Sequence, residues 1–309
     1  MYYYVAHRLF AAHDRAVAAH LAQCLGAVVG PERVFLPFCD TDEEDLVADV
    51  KGRRLFELDR ERLAHLDALI AVLHGPSLDD GVCMEIGYAA ASGVPVTIVS
   101  TDFQTYSLTE DGPHLDFPDP LIQAIATPVI RIPGLSPANP AHSDGCRFSA
   151  FLQRNLTQLD TALEAVTDAL TRPSPPPTLN VPHPSGRTSA LYVEPSPYGD
   201  TTPLAADHEP SLPQRFTAVD PLSAARDDFA TACTASRLLV DVSGPETPPG
   251  AAVLIGAAAA RGVRIAAFCP RSAFTHAHGR EPNWRNLMIQ YAVETRLDSH
   301  EAVHAWLST

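Results

Sequence analysis

The chain has 309 residues, 46% of them hydrophobic, enough for two ordinary domains with real cores. Its formal net charge is −15, and so acidic a surface argues against DNA or RNA as a partner, because phosphate backbones demand basic patches. No stretch approaches the roughly 20 apolar residues that span a bilayer, and MYYYVAHRLF does not read as a secretory leader, so a cytoplasmic protein without a membrane partner is expected. The six cysteines are scattered without a CxxC pair and are expected to be reduced thiols. No His/Cys spacing suggests a metal site.

In chain order, Tyr2–Ala6 reads as a strand, Ala11–Leu25 as a helix and Val34–Leu36 as a short strand. Leu55–Leu66 has helical spacing, and the apolar run Ala68–Leu73 fits a buried parallel strand. Asp79 or Asp80 can cap a helix running to about Ser92, with Gly93 ending it. Val94–Ser100 is the next strand, and Phe151–Leu170 is a long amphipathic helix. Strands alternating with helices predict an α/β fold with a doubly wound parallel sheet of flavodoxin or Rossmann-like type. The proline-rich run RPSPPPTLNVPHP predicts an extended linker over 172–187, between a first domain at 1–171 and a second at 188–309.

The second half repeats part of the first. Asp59–Val96 aligns without a gap on Asp228–Ile265, at a constant offset of 169 residues. Gly81 falls on Gly250, Ile86–Gly87 on Ile255–Gly256 and Gly93 on Gly262, and LYVEP (Leu191–Pro195) echoes YYVAH (Tyr3–His7). This predicts two tandem copies of one fold. The copies differ in their acids: Asp67 becomes Ser236, Asp79 and Asp80 become Pro248 and Pro249, Glu85 becomes Leu254, and Tyr88 becomes Ala257. Packing needs the retained apolar and glycine positions, whereas only chemistry needs the lost acids. The first copy is therefore expected to be active and the second degenerate.

GPSLDDGVCMEIGYAAASGVPV follows a buried strand and opens a helix, which puts it at the carboxyl edge of the sheet, where ligands bind in open α/β folds. Several acids converging there suit glycosyl chemistry. One carboxylate can attack the anomeric carbon, a second acid can protonate the leaving base, and nearby negative charge stabilises an oxocarbenium-like transition state. Glu85, about one turn into the helix and beside Tyr88 at i+3, is one of these acids. Asp79 and Asp80 can equally be plain helix caps.

The segment LFELDRERLAHLDALIAVLHGPSLDDGVCMEIGYAAASGVPV resembles the core signature of the nucleoside 2-deoxyribosyltransferase family. Phe56, Asp59, Asp67, Gly75, Asp79 or Asp80, Gly81, Glu85, Gly87, Tyr88, Ala89, Gly93, Pro95 and Val96 match its pattern. The resemblance implies that Glu85 is the nucleophile and that Tyr4 holds it by a hydrogen bond. It implies that Asp67 assists in the sugar and base pocket, and that Asp79, or less well Asp80, contacts or protonates the base. Gly81 and Tyr88 are expected beside the substrate, and no metal or organic cofactor is implied. Members of the family pair with a neighbouring subunit that supplies an Asn from an N-L-M-like motif. Here the corresponding loop of the first half has no Asn, whereas PNWRNLMIQYA in the second half supplies Asn286 and Met288. The expectation is a fused pseudodimer with one competent pocket per chain, still able to form a homo-oligomer.

Asn286 suits a free 5′-hydroxyl and hence a nucleoside. Arg8 could serve the phosphate of a nucleotide or be a plain surface charge. The activity expected is transfer of a 2-deoxyribosyl group between bases. The alternatives are an N-glycoside hydrolase acting on a nucleoside or its 5′-monophosphate, and a non-catalytic nucleotide-binding module.

Overall fold

The computed structural model describes residues 2–41, 51–75, 77–132, 147–172, 191–197, 205, 207–275 and 281–309. The expected linker lies outside the described residues except for Arg172, as do Pro76 and Cys146.

The first lobe runs β1 (Tyr3–Ala6), α1 (Ala12–Val29), β2 (Val34–Phe35), α2 (Lys51–Leu63), β3 (Ala68–Val72), α3 (Asp80–Ala91), β4 (Val96–Ser100), α4 (Pro120–Ile125), β5 (Val129–Arg131) and α5 (Arg147–Thr171). The second runs β6 (Leu191–Glu194), α6 (Pro221–Thr234), β7 (Arg237–Asp241), α7 (Pro249–Arg261), β8 (Arg264–Phe268), α8 (Leu287–Ala292), β9 (Thr295–Leu297) and α9 (His300–Leu307). Every strand pairing is parallel, in the orders β2-β1-β3-β4-β5 and β6-β7-β8-β9. The first is a doubly wound order whose direction reverses between β1 and β3, and that switch point opens a crevice at the carboxyl ends of the strands. Among the described residues no helix is long and apolar enough to cross a membrane.

Alternation along β1 feeds two cores. Tyr4 and Ala6 face a central core shared by both lobes, and Tyr3 and Val5 face an outer core under α1 and α5. A third core lies between the second sheet and α9. The bounds of β3 and β7 differ by 169 at both ends, and α3 and α7 begin 169 residues apart. The offset seen in sequence is thus the offset between elements.

The lobes meet where α3 crosses α7. Both helices are apolar nearly all round, as buried helices are. A methyl group on Gly87 would stand 1.9 Å from the Val253 carbonyl oxygen, and one on Gly256 would stand 1.9 Å from that of Met84. The two contacts exchange equivalent positions, as in an isologous dimer interface. Gly87→Ala is therefore expected to cost at least ~2 kcal/mol, since the clash is with backbone and only helix separation relieves it. Urea unfolding measures this, and an unchanged midpoint would show that the helices are not in such close contact.

Candidate active site

Tyr4 ends up buried in β1 because the strand's inward face packs on α3. Its hydroxyl donates a 2.7 Å hydrogen bond to Oε1 of Glu85, one and a half turns into α3. Glu85 is 7% exposed and lines a cavity of about 720 Å³ at the carboxyl edge of the first sheet. Burial pushes its carboxyl well above the usual range, Asp59 and Asp79 add to that rise, and the Tyr4 hydrogen bond opposes it.

The mouth of α3 supplies two more acids. Asp79 is the N-cap, its Oδ1 accepting from the Val82 amide at 3.0 Å. Burial raises its pKa. Asp80 stands beside it in the cavity wall, pushed up to about 6 by burial and by the charge of Asp79, with Arg285 pulling the other way. Arg8 also lines the cavity, but its guanidinium donates to the Ser77 carbonyl.

The second lobe closes the opposite wall. Asn286 caps α8, its Oδ1 accepting from the Met288 amide at 2.9 Å. Its Nδ2 lies 2.9 Å from where a Cβ on Gly81 would be, so only glycine lets the amide reach over the mouth of α3. Met288 and Trp284 line the same wall. Ser77 donates to Glu246, its counterpart at the 169-residue offset, at 2.9 Å across the junction.

Eight of the ten expected residues thus line one cavity: Tyr4, Arg8, Asp79, Asp80, Gly81, Glu85, Asn286 and Met288. Two do not. Asp67 is exposed at the amino end of β3, accepting from the Tyr2 amide at 2.5 Å. In a parallel sheet that edge is opposite the crevice, so Asp67 cannot assist there. Tyr88 packs against the central core, because α3 is covered by α7 from Met84 to Tyr88. The acid that does accompany Glu85 is Asp59, near the end of α2. Its presence in the F-x-x-D match was the available signal. Trp284 and Arg285 were also missed, although they directly precede Asn286.

The equivalent place in the second lobe is filled. Asp119 caps α4 as Asn286 caps α8, and its Oδ2 would lie 2.0 Å from a Cβ on Gly250, the counterpart of Gly81. Arg215, fully buried, donates to Asp119 at 2.8 and 3.0 Å, to Glu194 and to Asp228, the counterpart of Asp59. Tyr192 occupies the place of Tyr4 in β6. With Leu254 where Glu85 would be, its buried hydroxyl has no hydrogen-bond partner among the described residues.

The sequence pattern of the family described as Nucleoside 2-deoxyribosyltransferase matches residues 3–162, just over half of the chain. The chain belongs to the nucleoside 2-deoxyribosyltransferase family. No curated protein matches it. A crystal structure described as a conserved protein from Enterococcus faecalis V583 is 31% identical, covering 33% of this chain and 65% of that one at a TM-score of 0.29. The match spans just under two thirds of that protein's length.

Asp80 provides a test of the electrostatics. A carboxyl raised from 3.8 to about 6 in the folded state favours folding below 3.8, and that contribution is lost as pH rises through about 6. Relative to the parent, Asp80→Asn should therefore gain up to about 3 kcal/mol between pH 4 and pH 7. Urea unfolding at the two pH values measures the difference, and a constant difference would place Asp80 in a water-like environment.

Proposed function

We propose that the protein cleaves the N-glycosidic bond of a nucleoside through a covalent glycosyl–Glu85 intermediate and transfers the 2-deoxyribosyl group to another base. The observation that carries this reading is the buried Glu85–Tyr4 pair at the floor of a cavity whose facing wall is Asn286 from the other lobe. A Glu85 oxygen attacks C1′ as the bond to the base breaks and its electron pair moves onto the base nitrogen. The Asp79–Asp80 pair supplies the proton, held on Asp80, whose carboxyl is pushed up to about 6 by burial and by the charge of Asp79. An incoming base then attacks C1′ and frees Glu85, which gives net retention.

Tyr4 fixes the orientation of the carboxylate and favours its ionised form. Asn286 would hold the sugar hydroxyl from across the junction. The cavity favours a nucleoside over its monophosphate. Asp59, Asp79, Asp80, Glu85 and Glu246 outnumber the cations Arg8 and Arg285, and both arginines already donate to backbone carbonyls. The chain then acts as a fused pseudodimer of 1–171 and 188–309 with one working pocket, because Arg215 fills the equivalent place in the second lobe.

Incubation with deoxyadenosine and free cytosine, followed by separation of products, tests the reaction. Deoxycytidine and adenine are expected, and Glu85→Gln should lower the rate on the order of 10³-fold or more. Release of adenine without exchange would make the protein a hydrolase. Silence toward nucleosides and monophosphates would leave a binding module.

A further inference from the structure

The floor of the cavity is polar, but its mouth is not. Phe274 lines the cavity from the second lobe while 62% exposed, and Phe10 lines it from the first lobe while 72% exposed. Pro37 and Pro245 continue the rim. The backbone carrying Phe274 is paired: its amide and carbonyl exchange hydrogen bonds of 2.9 and 2.8 Å with Asn283, next to the nearly buried Trp284. A large ring standing in water at the lip of a cavity forfeits burial that a ligand can restore. The cavity, at about 720 Å³, also lies in the upper part of the roughly 300–1,000 Å³ range of small-molecule sites. The sugar, held between Glu85 and Asn286, and an unadorned base would leave Phe274 in solvent.

The geometry points to an apolar subsite at this mouth that takes nucleosides whose base carries a bulky aryl or alkyl substituent on its exocyclic edge. This rests on the reading that Glu85 cleaves a nucleoside. The sugar sits at the acidic floor, the base spans the middle beside Trp284, and the substituent packs between Phe274 and Phe10. Such ring contacts add selectivity without touching the reacting bond.

Values of kcat/KM for N6-benzyl-2′-deoxyadenosine and 2′-deoxyadenosine, with the parent protein and with Phe274→Ala, test it. The benzyl substrate is expected to react at least as efficiently as the plain one, and Phe274→Ala should lower the benzyl-to-plain ratio about tenfold. Phe274→Leu, which keeps an apolar surface, should recover most of that ratio. If deoxyadenosine is cleaved but the benzyl substrate is rejected, or if the ratio is the same in Phe274→Ala, the subsite is overturned and the glycosyl reading stands. If neither nucleoside is cleaved, the glycosyl reading falls and the subsite falls with it.

Discussion

The close crossing of α3 and α7 is the constraint on which everything else in this molecule depends. Gly87 and Gly256 each leave room for a carbonyl of the other helix, and any side chain there would force the helices apart. At this separation, groups from one lobe reach the helix mouth of the other, so Asn286 stands over Gly81 and Asp119 over Gly250. One interface therefore builds two equivalent places, and their residues decide what each becomes.

The two places treat buried charge in opposite ways. In the second lobe, Asp119, Glu194 and Asp228 surround Arg215, so the negative charge is answered by a fixed cation within hydrogen-bond range. In the first, Asp59, Asp79, Asp80 and Glu85 share a cavity, and the carboxyls of the last three are raised by burial. Burying several carboxyls with raised pKa values in one cavity costs stability and suits a reacting site. A cluster of acids around one arginine and a cavity lined by acids thus lie on the same scaffold, one in each lobe.

Most of this was legible in the sequence where chemistry and local structure coincide. The N-cap at Asp79, the buried strand before it and the glycine after the helix define α3, and Glu85 follows from its place on that helix. The 169-residue register pairs β3 with β7 because packing kept the apolar and glycine positions. Asp67 was misplaced because matching a motif along the chain ignores strand direction, and the first residues before a parallel strand lie at the edge away from the crevice. Asp59 was undervalued for a related reason, since only the packing of α2 beside α3 shows that its side chain reaches Glu85's surroundings. The aromatic mouth was invisible, because Phe10 and Phe274 are 264 positions apart and line one cavity only once both lobes fold.

The central claim is that Glu85 bonds to a sugar's C1′, and one measurement addresses it directly. The protein is mixed with deoxyadenosine, quenched in acid within the first turnovers, digested and analysed by mass spectrometry. The account predicts that the peptide containing Glu85 gains the mass of one deoxyribosyl group, removable by an added base before quenching. An unmodified Glu85 peptide in a sample that is visibly releasing adenine would contradict it.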